Sequence, residues 1–103
     1  MADIREARAA LTRRILDGEG KAAPSERRAA FNNSGLGEPL DALIGKVGRH
    51  ANRVTDEDIT AAKASGLSED EVFEIVVCAA VGQAARQYDA TLSALEAAAA
   101  RSG

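Results

Sequence analysis

The chain has very few cysteine and aromatic residues, and each shortage excludes a class of protein. Its 103 residues include one cysteine, Cys78, so an intramolecular disulfide cannot form. Phe31, Phe73 and Tyr88 are the three aromatic residues, so the core has to be built mainly from small aliphatic side chains. Alanine occupies 23 positions, and each buried alanine contributes on the order of 1 kcal/mol or less. Because such a core provides little stabilisation per residue, we predict a homo-oligomer whose subunit contacts supply the rest.

Long apolar runs and concentrated basic segments are also missing. The longest apolar run, residues 75–82, is far shorter than the about 20 residues of a membrane-spanning helix. Residues 1–20 carry charges throughout, unlike a signal peptide. We therefore expect a cytoplasmic protein that does not bind membranes. The net charge is −3, with 13 basic and 16 acidic residues mixed along the chain, which argues against nucleic acid as a partner.

The spacing of apolar residues predicts an all-α protein, a compact bundle of about five helices in one domain that spans residues 1–103. Ile4, Ala7, Leu11 and Ile15 recur every three or four residues and so lie on one face of a first helix. No segment alternates apolar and polar residues as a half-buried strand does. Proline, glycine and capping residues divide the rest of the chain into four further helices. The five predicted helices begin at about residues 3, 24, 39, 56 and 68.

The last helix is predicted to be the longest and the most apolar. Gly66 suits the left-handed residue that ends the fourth helix, and Ser68 with Glu71 three residues later forms a capping box that starts the fifth. An apolar stripe runs along this helix, and over residues 72–81 the opposite face is apolar as well. We therefore expect residues 72–81 to be buried on both faces, inside the domain or at a subunit interface. The stripe consists of Phe73, Val77, Val81, Ala84, Tyr88, Leu92, Leu95 and Ala99.

The junction between the fourth and fifth helices carries a family pattern. Residues 62–74 read AKASGLSEDEVFE and match A-x-x-x-G-[LA]-[ST]-x-x-E-[IV]-x-E. With the apolar helix that follows, residues 38–95 resemble the alkylhydroperoxidase D-like, or carboxymuconolactone decarboxylase, superfamily. The resemblance implies a helical bundle of that family's type.

The peroxidatic members of the family that this chain resembles carry the motif C-x-x-C-x-x-x-H before the junction. This chain departs from that motif. Counting back from Gly66 puts the two cysteine positions at Ala51 and Val54 and the histidine position at Asp58. Thiol peroxidase chemistry needs a low-pKa thiolate beside a resolving thiol, which alanine and valine cannot supply. We therefore predict a relative without thiol peroxidase activity. Cys78, in the most apolar part of the fifth helix, is expected to be a buried packing residue with a raised pKa.

His50 is the single histidine and the main candidate for catalysis. The decarboxylase branch of the family uses acid–base residues, and by that resemblance His50 and Glu38 would transfer protons while Arg49 or Arg53 binds a carboxylate. The simpler interpretation is an exposed histidine near the end of the third helix, where a positive charge suits the helix dipole. One histidine cannot form a metal site alone, and we expect neither a metal nor a cofactor. The acidic residues at 69–74 are explained by their place in the first turns of the fifth helix.

Three functions stay open at the level of sequence. The first, which we favour, is a small oligomeric helical scaffold or binding protein without peroxidase activity, with a protein or a small carboxylate as a further partner. The second is an acid–base enzyme of the lactone-decarboxylase type, which needs a pocket that exposes His50 to a substrate. The third is an unrelated helical adaptor whose apolar stripe over residues 86–99 docks on another protein, and a monomer with this stripe exposed would favour it.

Overall fold

The computed structural model describes the backbone of residues 2–102 and the side chains of residues 6–101. Over that range the chain is helical without strands, which confirms the predicted all-α bundle with a long last helix. Met1 and Gly103, the ends of the predicted domain, and the side chain of Ile4 lie outside the described part. The helices are α1 (Ala2–Asp17), α2 (Pro24–Asn32), α3 (Leu40–His50), α4 (Asp56–Ala64) and α5 (Glu69–Ser102), with a 3₁₀ turn at Ala51–Arg53.

Capping residues set the starts of α4 and α5, and the Ser68–Glu71 capping box is the one predicted above from the sequence. At the start of α4, Thr55 Oγ1 accepts the N–H of Asp58 (3.3 Å), while Asp58 Oδ2 accepts the N–H of Thr55 (2.9 Å). Ser68 and Glu71 form the same reciprocal pair at the start of α5, with both bonds at 3.1 Å. Gly66 between the two helices has a φ of +109°, which strains any residue with a Cβ atom.

The core lies where α2 and α3 pack on the first half of α5. Its largest fully buried side chains are Leu43, Ile44, Ile75 and Cys78, so the core is built from aliphatic residues as the composition requires. The buried apolar residues are Leu16, Ala22, Ala30, Leu43, Ile44, Val47, Ala62, Val72, Ile75, Cys78 and Ala79.

The end of α2 is fixed against both α5 and α3. The carbonyl oxygen of Phe31 lies so close to Gly82 that a Cβ atom there would be 1.9 Å away, and the same oxygen accepts a hydrogen bond from Arg86 Nη1 (2.6 Å). Asn33 ends α2 in the left-handed conformation, with φ 56°. Its Nδ2 donates to the carbonyl oxygen of Ile44 (2.7 Å), which ties the α2 end to α3.

The second half of α5 extends beyond the core, and α1 packs along the middle of α5, over residues 78–89. At 1.5 Å per residue its 34 residues span about 51 Å, which accounts for the 55 Å long axis of the molecule. The two helices run antiparallel, since Cys78 Sγ lies 3.9 Å from the Ile15 carbonyl oxygen, whereas Arg8 Nη2 lies 3.2 Å from Asp89 Oδ1. The Arg8 guanidinium also lies over the ring of Tyr88, 4.3 Å from its centroid.

Within the chain, α5 buries one face and not two. Val72 and Ile75 point into the core, but Phe73 is 67% exposed and Val77 and Val81 are half-buried. The prediction that residues 72–81 are covered on both sides by the chain itself is therefore wrong, because the other helices reach only one side of α5. Coverage by a second subunit stays a prediction.

Candidate functional site

The four residues that the sequence singles out for acid–base chemistry are all exposed. His50 ends α3, Arg49 precedes it, Arg53 lies in the 3₁₀ turn and Glu38 lies just before the start of α3. Glu38 and His50 are thus separated by the length of α3, about 16 Å for eleven residues. His50 is near Arg49 and Arg53 because the three are neighbours in sequence. Glu38 lies at the opposite end of α3 from His50.

The local contacts of these residues are structural. Glu38 Oε2 accepts the backbone N–H of Ala42 (3.3 Å) in the first turn of α3, and the Arg49 guanidinium folds back over Gly45. None of the cavities described below is lined by Glu38, Arg49, His50 or Arg53. The pocket that an acid–base role for His50 requires is therefore not among them.

The three positions of the family's C-x-x-C-x-x-x-H motif hold residues with structural contacts. Ala51 and Val54 are joined by one hydrogen bond, from the Val54 N–H to the Ala51 carbonyl oxygen (3.3 Å). Asp58 caps α4 through Thr55 and also receives Lys46 Nζ of α3, 2.9 Å from each carboxylate oxygen. The hydrogen bond from Lys46, followed by that from the Thr55 N–H, lowers the pKa of the Asp58 carboxyl. Asp58 thus joins α3 to α4, and nothing in the local sequence pointed to Lys46.

Cys78 is buried, with 1% of its surface exposed, as the sequence predicts. Burial raises the pKa of its thiol, and the positive charge of Arg27 only partly opposes this effect. The thiol lies against the Ile15 carbonyl oxygen (3.9 Å). Beside it is a cavity of about 170 Å³, lined also by Phe73 and Val77. A neutral, enclosed thiol of this kind is a poor nucleophile.

Arg27 is the one buried charged residue among the described side chains, and sequence reasoning did not find it. Its guanidinium donates to the carbonyl oxygens of Ile15 (3.1 Å), Gly18 (2.8 Å) and Ala22 (3.1 Å). These bonds satisfy backbone oxygens at the end of α1 and in the following loop. Arg27 therefore holds the α1–α2 connection in place, and it also lines, with Glu74, the cavity beside Cys78.

Glu74 of α5 holds the same loop from the other side. Its carboxylate accepts the backbone N–H of Lys21 (2.8 and 2.9 Å to the two oxygens) and that of Ala22 (2.5 Å). Burial by itself raises the pKa of Glu74, but the bonds from Ala22 and Lys21 outweigh it, so the pKa lies below its ordinary value. The sequence explains Glu74 as a helix N-terminal charge, whereas the structure makes it a tertiary contact.

Among the side chains of residues 6–101, an apolar face formed by α1 and α5 is exposed and is not covered by another helix. We define this apolar face by Leu11 of α1 and Phe73, Val77, Val81, Ala84 and Tyr88 of α5. Phe73 is 67% exposed, Leu11 52% and Tyr88 44%. Leu11, Val81, Ala84 and Tyr88 line a groove of about 240 Å³ between the two helices. The apolar face can bind another apolar surface, and it has no chemically reactive group.

Neither a metal centre nor a bilayer-spanning segment occurs among the described residues. No three histidine, cysteine, aspartate or glutamate side chains there form a group that could hold a metal ion. No helix in the same part of the chain has the length and apolar character needed to cross a membrane.

Comparison of the chain with protein-family models, with curated proteins and with solved structures finds no match. The resemblance of residues 38–95 to the alkylhydroperoxidase D-like superfamily therefore stays a prediction.

Proposed function

We propose that this protein is a relative of the alkylhydroperoxidase D-like superfamily that lacks the cysteine pair and acts as a small, self-associating helical scaffold. The observation that carries the proposal is the apolar face, on which Phe73, Leu11 and Tyr88 are the most exposed. Single apolar residues on a surface need no explanation, but residues that share one face mark an interaction site. A small aliphatic core adds a reason for subunits to share stabilising contacts.

The state of the polar residues supports a role without chemistry. Cys78 is enclosed and has a raised pKa. Arg27 and Glu74 form hydrogen bonds with the backbone at the end of α1 and in the loop that follows it. Asp58 is engaged by a cap and by Lys46. These contacts support a scaffold over an enzyme because Arg27, Glu74 and Asp58 are each engaged by hydrogen bonds within the chain.

The proposal includes a cytoplasmic location, since Cys78 has no partner with which to form the disulfides common in secreted small domains. Light scattering after size-exclusion chromatography at micromolar concentration tests self-association. We expect a particle of at least twice the 10.7 kDa chain mass. A particle of 10.7 kDa would reject the scaffold and favour an adaptor that docks on another protein through the stripe at residues 86–99.

A further inference from the structure

Resting on the proposed self-association, we infer that two copies pair with antiparallel α5 helices, so that Phe73 of each fills the groove between α1 and α5 of the other. The apolar face carries a projecting aromatic ring and an apolar groove together. Phe73 is 67% exposed, and the groove, lined by Leu11, Val81, Ala84 and Tyr88, measures about 240 Å³. Since a cavity of about 150 Å³ holds a benzene ring, the groove has room for a phenyl side chain.

The spacing of ring and groove along α5 fits a two-fold axis. Phe73 and Ala84 are eleven residues apart, close to three helical turns, so both lie on one face with about 16 Å between them. In a two-fold interface, a contact from residue i to residue j is repeated from j to i. Both grooves are therefore filled at once. The same antiparallel register places Val77 level with Ala80 and within one residue of Val81, so apolar residues meet apolar residues between the two grooves.

Charge decides the direction of pairing. The first turn of α5 carries Glu69, Asp70 and Glu71, and a parallel pair would bring two such acidic turns together. The antiparallel register instead places Asp70 within one residue of Tyr88, whose ring lies 4.3 Å from the Arg8 guanidinium, which is itself paired with Asp89 (3.2 Å). The two acidic turns then lie at opposite ends of the interface, so they do not repel each other, which favours the antiparallel arrangement.

Charge also identifies the occupant of the apolar face as a second copy of this chain. Residues 75–85 contain no charged residue, so this part of α5 buries no charge when it loses water, as in the centres of known interfaces. Arg8 of α1, already paired with Asp89, is the charged residue that lines the groove. An uncharged, largely aliphatic helix is what such a surface accepts, and α5 itself meets this description. The ring and the groove on one face make the chain complementary to itself.

Disulfide trapping tests the register. The variant carries Phe73→Cys and Ala84→Cys in a Cys78→Ala background. Within one chain the two new thiols are about 16 Å apart along a rigid helix, so they cannot bond to each other. We expect oxidation to give a covalent dimer on a denaturing gel. The control combines Phe73→Cys with Leu95→Cys, because Leu95 is also exposed (63%) on α5 but lies outside the register; it should stay monomeric on the gel.

A second measurement needs no crosslink. Phe73→Ala should weaken the dimer by about tenfold or more, as loss of a central aromatic residue does, while Leu95→Ala should leave the dissociation constant unchanged within about twofold. Both side chains are exposed, so neither substitution should prevent the chain from folding.

The outcomes separate this arrangement from the proposed function. A native chain that is monomeric by light scattering rejects the scaffold and the pairing together. The trapping is done at a protein concentration above the dissociation constant measured for Phe73→Ala, so that loss of the ring does not itself prevent pairing. A dimer or larger assembly in which the 73–84 pair then does not crosslink, or crosslinks no faster than the 73–95 pair, rejects the pairing alone.

Discussion

The carbonyl oxygen of Phe31 occupies the space that a side chain at Gly82 would need, 1.9 Å from the place of a Cβ atom. A carbonyl oxygen belongs to the main chain, so it cannot turn aside as the end of a flexible side chain can. The absence of a side chain at position 82 is therefore what allows α2 and α5 to approach each other.

Gly82→Ala should destabilise the protein by about 1–3 kcal/mol, because α2 has to move away from α5 and the bond from Arg86 to Phe31 is disturbed. Helix propensity alone predicts the opposite sign, since alanine is favoured over glycine by about 1 kcal/mol within a helix. Urea unfolding measures the free energy of unfolding of each variant. The control is Gly37→Ala, where a Cβ atom meets nothing within 4 Å. A Gly82→Ala variant as stable as the native chain would contradict the packing of α2 on α5.

Glu74→Gln should lower the free energy of unfolding by roughly 2 kcal/mol near pH 7, because a charged acceptor of backbone N–H groups becomes a neutral one. Glu69→Gln, in the exposed first turn of the same helix, is the matched control and should change it by less than about 0.5 kcal/mol.

The effect of Glu74 should also depend on pH in a definite direction. The pKa of Glu74 in the folded chain lies below its ordinary value of 4.5. The stabilisation by Glu74 is therefore fully present above its unfolded-state pKa of about 4.5. It is lost as the pH falls through the lower pKa of the folded chain. Unfolding curves of the native chain and Glu74→Gln should differ most at neutral pH and converge as the pH falls through the lowered pKa of Glu74. A difference that grows on acidification would show that Glu74 does not accept these bonds as a carboxylate.

Cys78 should take no part in redox chemistry. We expect hydroperoxide consumption by the native chain to equal that of a blank without protein, and Cys78→Ala to leave it unchanged. The thiol should react slowly with an aromatic disulfide reagent in the folded chain and rapidly in denaturant, because burial both covers it and raises its pKa. Reduction of a hydroperoxide that disappears in Cys78→Ala would overturn the prediction.

His50→Gln should change the free energy of unfolding by less than about 0.5 kcal/mol, since the side chain is exposed at the end of α3. It should leave the particle mass in light scattering unchanged as well, because His50 is not on the apolar face. Turnover of an unsaturated lactone acid by the native chain, abolished in His50→Gln, would instead support the acid–base enzyme.

The helix boundaries could be predicted because their signals are local. Thr55, Ser68 with Glu71, and Gly66 act within one helical turn of their own positions, and the five helices begin at or next to the predicted residues. Pairing across the chain has no such signal. Glu74 accepts a hydrogen bond from a loop residue 53 positions away in sequence. Its place in the first turns of α5 already explained its charge by the helix dipole, so there was no reason in the sequence to expect this contact.

The orientation of α5 shows where periodicity stops being informative. Over residues 72–81 two faces of the helix are apolar, and the stripe that begins at Phe73 is the longer of the two. The core takes the other face, with Val72 and Ile75. Spacing identifies which residues share a face but does not reveal which face the neighbouring helices cover. Arg27 is a second case, because its neighbour Arg28 is exposed and only tertiary structure distinguishes them.

Because Ile75 faces the chain's own interior and Phe73 faces outward on one continuous helix, the two sides of α5 are mechanically linked. A substitution at Ile75 that rotates the helix by even a fraction of a turn redirects Phe73, although it touches nothing on the surface. Changes hidden inside the protein can therefore alter how strongly copies associate, and evolution could adjust assembly without altering a single exposed residue.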